Sequence, residues 1–472
     1  RSNYYMLLTS VSQIEEHLAG AIAIDADQVS VVDESALKEK IDEVVYTAVF
    51  GEGLVRDTAR WIIGAVGLSL GIVPASIHEL YMAAGRGELP HSFTVPAINV
   101  RAMNFNTSRA IFRAANKHAV GALIFEIARS EMGYTDQRPA EYVASVTAAA
   151  IKEGFRGPLF IQGDHFQVSA SSYRNDREKE INAVRDLIAE AVGAGFYNID
   201  IDTSTLVDLS FDSLDEQQQE NYAVCAALTR FVRDLEPEGV TVSLGGEIGE
   251  VGGHNSTVPE LRAFMRGYLD KAGDLDGISK ISVQTGTSHG GVVLPDGSLA
   301  QVKVDFDTLA ALSRVARDDY GLGGAVQHGA STLPASAFGK FPEVGAIEIH
   351  LATNFQNIIY DLLPPDLVDE AYDYVKDNHS AKEGQTEEQF LYSNRKRAIG
   401  EFKKAWWDLP AEHQEHIGQR LQEEFEFLFE KLAVTNTRDF ANEATPLVKV
   451  HRTRPTTAVE ETELEIASDL AD

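Results

Sequence analysis

The run Pro158-Leu159-Phe160-Ile161-Gln162-Gly163-Asp164-His165 is apolar up to a glycine and then ends in a carboxylate and an imidazole. Behind it, Ile181, Val184, Leu187, Ile188, Ala191 and Val192 recur at helical spacing on one face, and a second apolar run, Phe196–Asp202, follows. Strand, amphipathic helix and strand in that order make a βαβ unit with parallel strands. Outward from this unit the alternation continues between residues 94 and 375. The further strands expected are Thr94–Val100, Gly121–Ile127, Val240–Gly249, Lys280–Gly286, Gly324–Gly329 and Ala346–Thr353, eight with the first two. Eight parallel strands, each followed by a helix, close most economically into a barrel, whereas an open doubly wound sheet needs two edge strands and a reversal point. The expected fold is therefore α/β, a (β/α)8 TIM barrel with helical N-terminal and C-terminal extensions.

The barrel is assigned to residues 91–378. Residues 1–90 read as a helical extension, in which Asp33 or Ser35 caps a segment whose Leu37, Ile41, Val44, Val45 and Ala48 share one face. Residues 379–454 read as a second helical extension with Trp406 and Trp407 as docking anchors. The segment 455–472, with Glu460, Glu461, Glu463, Glu465, Asp469 and Asp472 and no basic residue, reads as a solvated, flexible acidic tail. Acidic residues outnumber basic ones by 72 to 41, a net charge of −31, and such a field repels phosphodiesters and anionic lipid heads. Neither nucleic acid nor membrane is an expected partner. The longest uncharged run, Trp61–His78, is broken by Gly64, Gly67, Gly71 and Pro74, so a buried helix or hairpin is expected there rather than a span. One cysteine, Cys225, forbids an intrachain disulfide and a thiolate zinc cage, and Arg1–Ser10 lacks a leader pattern, so the cytoplasm is the expected compartment.

Barrel active sites form at the carboxyl ends of the strands. There the chain sets Gly163-Asp164-His165, Asp200-Ile201-Asp202, Gly246-Glu247-Ile248-Gly249, Ser288-His289-Gly290-Gly291, Gln327-His328-Gly329 and His350. Neutral imidazoles with a carboxylate suit zinc or another divalent transition metal, and ligands on separate strands can surround an ion. His165, His289 and His328 are the expected ligands, with Glu247 a fourth or transient one. Asp202 either holds a second cation or caps the following helix. Gly290-Gly291 and Gly329-Ala330-Ser331 offer backbone N–H groups and a hydroxyl to an anion beside the metal.

Together these segments resemble a known family. Phe93–Val100, Gly163-Asp164-His165, Glu247-Ile248-Gly249 with Gly252-Gly253, Gly286-Thr287-Ser288-His289-Gly290 and His328-Gly329-Ala330-Ser331 are similar, in order, to the motifs of class II, metal-dependent fructose-bisphosphate and ketose-bisphosphate aldolases. The resemblance spans about residues 93 to 360. It implies a carbon–carbon lyase that cleaves fructose 1,6-bisphosphate to dihydroxyacetone phosphate and glyceraldehyde 3-phosphate, and condenses them, through a metal-stabilised enediolate. By the same resemblance, Asp164 takes the C4 hydroxyl proton in cleavage and returns it in condensation. Gly290, Ser331 and Thr353 grip the phosphate of the dihydroxyacetone half, and Asn99 faces the substrate. A phosphorylated ketose is the implied partner, and a homo-oligomer, dimer or tetramer, the expected assembly.

Departures concentrate on the anion contacts. Family members carry a lysine soon after the second metal histidine, where this chain has Val292-Val293-Leu294, leaving Lys303 as a substitute. They read Lys-Ile-Asn in the eighth strand against Glu348-Ile349-His350 here, which makes His350 a further substrate-side candidate. One branch places two glutamates where His254-Asn255 stands, and the phosphate serine after the second strand gives way to Arg129 or Ser130. The densest basic cluster beyond the barrel, Arg395-Lys396-Arg397, is either a solvated helix face or the grip for the far phosphate. In the second case Arg397 reaches across a neighbouring subunit's barrel mouth. Three rival readings are an aldolase for another ketose, such as a tagatose bisphosphate or a monophosphate, a noncatalytic barrel subunit supporting a partner enzyme, and a metal hydrolase. The retained Asp164, His165, His289 and His328 argue against the second. Against the third stands Asn99-Val100-Arg101, where a hydrolase commonly has His-x-His.

Overall fold

The structure, a computed structural model, describes residues 5–249, 254–287, 293–296, 298–300, 303–461 and 467–470. Its strands in chain order are β1 (Ile22–Asp25), β2 (Gln28–Val31), β3 (Ile72–Ala75), β4 (Val95–Asn99), β5 (Ile124–Ala128), β6 (Gly157–Gln167), β7 (Asn198–Asp202), β8 (Ser243–Glu247), β9 (Lys280–Val283), β10 (Ala325–Gln327) and β11 (Glu348–Leu351). Strands β4 to β11 pair in sequential order, all parallel, and the β11–β4 pairing closes the circle into the expected barrel. Each of the eight runs has its counterpart. Every residue of β4 to β11 is buried, as a strand covered by helices on one side and barrel filling on the other must be.

The first 90 residues are not purely helical. They carry the β1–β2 hairpin and a ninth strand of the barrel sheet, β3. Asp33 does cap the helix Glu34–Phe50, accepting from the Ala36 N–H. The run around Trp61 is the buried helix Gly53–Ser69 followed by β3, and no helix of the described residues is long and apolar enough to cross a membrane. Strand β3 pairs with the first half of β6, Ile72↔Gly157 to Ala75↔Phe160, and β7 takes over from Gln162↔Asn198. At the junction the Asn198 amide donates to the carbonyls of Ala75 (3.1 Å) and Ile161 (3.0 Å) and accepts from Ile77 N–H (2.8 Å). The helix His78–Gly85 then carries Tyr81 beneath the barrel, where its hydroxyl donates to the Glu348 carboxylate inside. Four-residue strands such as β3 are too short for periodicity to separate from a helix end.

At the other end of the chain, Trp406 and Trp407 are buried, but against their own barrel. Trp407 stacks on Phe105 (6.1 Å, 7° between planes) and meets Phe50 edge-on, while Trp406 meets Tyr360 edge-on. The two anchors thus dock the segment on its own barrel, and not on the neighbouring subunit that one of the two readings of the basic cluster required. The acidic segment beyond Arg454 is also held down where described. Glu461 pairs with Arg56 and Arg60, Val459 N–H donates to Asp57, and Asp469 accepts from Ser169 and Ser171.

Candidate active site

Strand β6 determines the centre of the site. Consecutive strand residues normally face opposite ways. Here the register with β7 shifts between Gly163 and Phe166, and His165 adopts a positive φ of 39°. This bulge lets neighbouring Asp164 and His165 both line one cavity at the carboxyl end of the barrel, together with His328, Asn99, Ser331 and Thr353. Gly163 is required beside it, because a Cβ there would lie 2.4 Å from the Phe166 ring.

Donor atoms of His165, Glu247 and His328 all lie within 4.8 Å of one another, and all three residues are buried. Two imidazoles and a carboxylate form a donor set for a divalent transition metal. Burial holds the Glu247 carboxyl well above its usual range, with the Asp202 charge adding to the effect, so a cation among these ligands would relieve the site. His289 and Gly290 lie outside the described residues.

Asp202 is an orienting group rather than a ligand. Its Oδ2 contacts His165 Nδ1 at 2.9 Å and accepts from the Gln167 amide, while Oδ1 accepts from Ser204 N–H (3.1 Å) and Oγ (2.7 Å). Burial pushes its carboxyl up, but these bonds, His165 first, outweigh burial and hold it below the usual range. With both oxygens committed, Asp202 fixes the His165 ring, the role carboxylates commonly take behind metal-binding imidazoles.

His350 is likewise corrected. Its Nδ1 lies 3.1 Å from both Asp164 and Glu126, and its Nε2 lies 2.6 Å from Glu348, so carboxylates rather than a substrate anion occupy both nitrogens. Burial opposes the charge, yet Glu126 and Asp164 overcome it and hold the imidazolium well above its ordinary pKa. Below lies a layer that sequence reasoning missed. Lys280, fully buried, donates to Gln162 (2.7 Å) and Glu348 (2.5 Å) and pairs with Asp200 (2.8 Å). The signal was available in the i, i+2 pairs Gln162/Asp164, Asp200/Asp202 and Glu348/His350, because polar residues two apart in a wholly buried strand share one face.

Among the anion candidates, Gly329, Ser331 and Thr353 come together in the cavity. Gly329 takes a φ of +65°, and Ser331 Oγ accepts from Ala352 N–H at 2.6 Å, tying the loops after β10 and β11. Lys303 is exposed. Arg129 turns away, donating to Glu180 and to the Gln167 carbonyl, so it does not replace the phosphate serine. The basic triplet divides. Arg395 is buried, its guanidinium 4.8 Å from the Tyr360 ring and 4.7 Å from Tyr392, and it donates to Asn357. Arg397 is exposed. Lys396 Nζ sits 5.8 Å over the Tyr134 ring, and burial together with nearby Arg101 pushes its ammonium down to about 7. Arg101 itself lines the cavity and donates to Glu131 at 2.7 Å, and the buried Tyr134 hydroxyl has no hydrogen-bond partner among the described residues. Asn99 also donates to Glu131, and its buried Oδ1 has no hydrogen-bond partner among the described residues. Of Arg101, Tyr134 and Lys396, only Arg101 lines the cavity; the basic cluster that includes Lys396 was singled out in the sequence, whereas Arg101 and Tyr134 were not.

Comparison with known proteins covers most of the chain. The family model described as "Fructose-bisphosphate aldolase class-II" matches residues 85–408. No curated protein matches it significantly. A fructuronate-tagaturonate epimerase, UxaE from Cohnella laeviribosi, is similar in structure with a TM-score of 0.54 at 12% identity, over 90% of this chain and 91% of that one. A probable tagatose 6-phosphate kinase from Sinorhizobium meliloti is similar with a TM-score of 0.50 at 16% identity, over 74% and 99%. A fructose-bisphosphate aldolase from Campylobacter jejuni gives 0.46 at 18% identity, over 77% and 97%.

Proposed function

Because the chain belongs to the class II fructose-bisphosphate aldolase family and is an aldolase-type lyase, we propose that its reaction is the reversible cleavage of fructose 1,6-bisphosphate into dihydroxyacetone phosphate and glyceraldehyde 3-phosphate. The observation that carries this is the bulge in β6, which sets Asp164 and His165 side by side in the cavity that also holds His328. A divalent cation, with zinc the first candidate, would be held by His165, Glu247 and His328, with His289 a further ligand, and would supply Lewis-acid polarisation of the ketose carbonyl.

Asp164 accepts the proton of the C4 hydroxyl, the C3–C4 bond breaks, and its electron pair moves toward the C2 carbonyl. The same carboxyl returns the proton in condensation. His350, held by Glu348, orients Asp164 through their 3.1 Å contact. Gly329, Ser331 and Thr353, with Gly290, receive the phosphate next to the ketone, and Arg101, Lys396 and Tyr134 receive the far anion. The proposed setting is a homo-oligomer in a reducing cytoplasm, which the single, buried Cys225 suits.

A second reading draws on the likeness to the epimerase, which extends over the terminal segments outside residues 85–408. In that reading the same cleavage is followed by re-addition to the other face of the aldehyde, giving the C4 epimer of a carboxylated ketose. Both readings use Asp164 in the same way. Incubation with fructose 1,6-bisphosphate, tagatose 1,6-bisphosphate and the two ketouronates, with trapping of dihydroxyacetone phosphate, separates them. Triose phosphate release from the first supports the aldolase, and epimer formation from the uronates without it replaces that reading with the second.

A further inference from the structure

The loop that follows β6 is held by the far end of the chain. Val168 N–H donates to the Asp202 carbonyl (2.9 Å), Thr205 Oγ1 to the Val168 carbonyl (2.6 Å) and Ser169 N–H to Glu180 (2.8 Å), which pins the start of the loop to the barrel. Ser169 is wholly buried, and its hydroxyl accepts from Ser172 N–H (3.1 Å) and donates to Asp469 Oδ1 (2.6 Å). Asp469 Oδ2 accepts from Ser171 N–H (2.9 Å). The loop stands at the catalytic mouth, since it leaves the carboxyl end of a barrel strand. Gln167, the last residue of β6, donates to the Asp202 carboxylate that fixes the His165 ring.

The end of the chain is held unequally. Glu461 is gripped by two guanidinium groups, Arg56 and Arg60, and Val459 N–H beside it donates to Asp57. The turn at residues 467–470, closed by Leu470 N–H on the Ala467 carbonyl (3.4 Å), grips the loop through Asp469, which is itself exposed. Two hydrogen bonds to one exposed carboxylate about balance the entropy lost in ordering a four-residue turn. This grip is therefore releasable, while Glu461 remains an anchor.

We propose that Asp469 is a latch on the catalytic mouth. Engaged, it holds the loop after β6 against the barrel; released, it uncovers Ser169, frees the loop and eases passage to and from the cavity. The test compares the full-length wild type with Asp469→Ala and Asp469→Asn, both of which leave the core intact because Asp469 is exposed. Amide hydrogen exchange across residues 168–175, read by mass spectrometry, should quicken about tenfold or more in Asp469→Ala, as for loss of one charge-assisted hydrogen bond. Asp469→Asn keeps an acceptor and should quicken it less. Extraction of bound zinc by excess dipicolinate should quicken in the same order, since the ion leaves by the mouth. This second readout rests on the metal reading above, which elemental analysis of the zinc-loaded wild type checks separately, whereas exchange tests the latch with or without metal. Unchanged exchange in Asp469→Ala overturns the latch, and faster exchange with unchanged zinc extraction overturns its control of the mouth.

Discussion

At His165 a single backbone angle outside the extended range turns two adjacent residues toward one cavity, and this divides their roles. Asp164→Asn should keep the metal content of the wild type and lose about 10²–10⁴-fold in cleavage rate, because an amide fills the space but cannot take a proton. His165→Ala should lose the metal itself. Elemental analysis beside a cleavage assay checks both, and full activity of the asparagine variant would place the base elsewhere. Lys396 gives a pH signature. With its pKa near 7, the ammonium is present at pH 6 and mostly lost at pH 8, while the Arg101 guanidinium nearby stays charged. Sulfate does not titrate over this range, so its inhibition constant should rise about tenfold from pH 6 to 8 in the wild type. In Lys396→Met the constant should stay flat. A flat profile in both proteins would remove Lys396 from the anion pole.

Among the elements, β6 is shared between two partners, and Asn198 closes the seam where β3 gives way to β7. Asn198→Ala removes three hydrogen bonds in a buried place, and denaturant melts should show a loss of about 1–3 kcal/mol or more. Lys280, on β9, is the cation for Glu348 and Asp200 inside the barrel. Lys280→Met leaves buried carboxylates unpaired and should cost about 3–5 kcal/mol, measured the same way. The two carboxylates keep its ammonium charged, so it is not a Schiff-base nucleophile, and borohydride with substrate should leave the protein unmodified. The eight barrel strands were legible because short apolar runs alternate with stretches of helical period, and most of those runs lead into a chemically distinctive residue. Strand β3 was not, since its pairing with β6 rests on a contact 85 residues away, Ile72 to Gly157, that no local pattern encodes.

For the molecule as a whole, chelation should abolish cleavage and zinc or cobalt should restore it, with metal content tracking activity. Activity unaffected by exhaustive chelation would remove the metal from the reaction. The order of motifs and the strand-end chemistry were contained in the chain itself. Asp164, His165, Glu247 and His328 are where barrel geometry must bring them, because every parallel strand of a closed barrel delivers its carboxyl end to the same face. The division of labour within that set came only from tertiary structure. Asp202 orients His165 instead of binding metal, His350 answers three carboxylates, and Arg129 turns outward, because hydrogen-bond partners come from strands far apart in sequence. The same holds for Arg395, Lys396 and Arg397. Three consecutive basic residues look equivalent along the chain, and only packing against Tyr360, Tyr392 and Tyr134 makes one buried and structural, one half-buried over an aromatic ring and one solvent-facing.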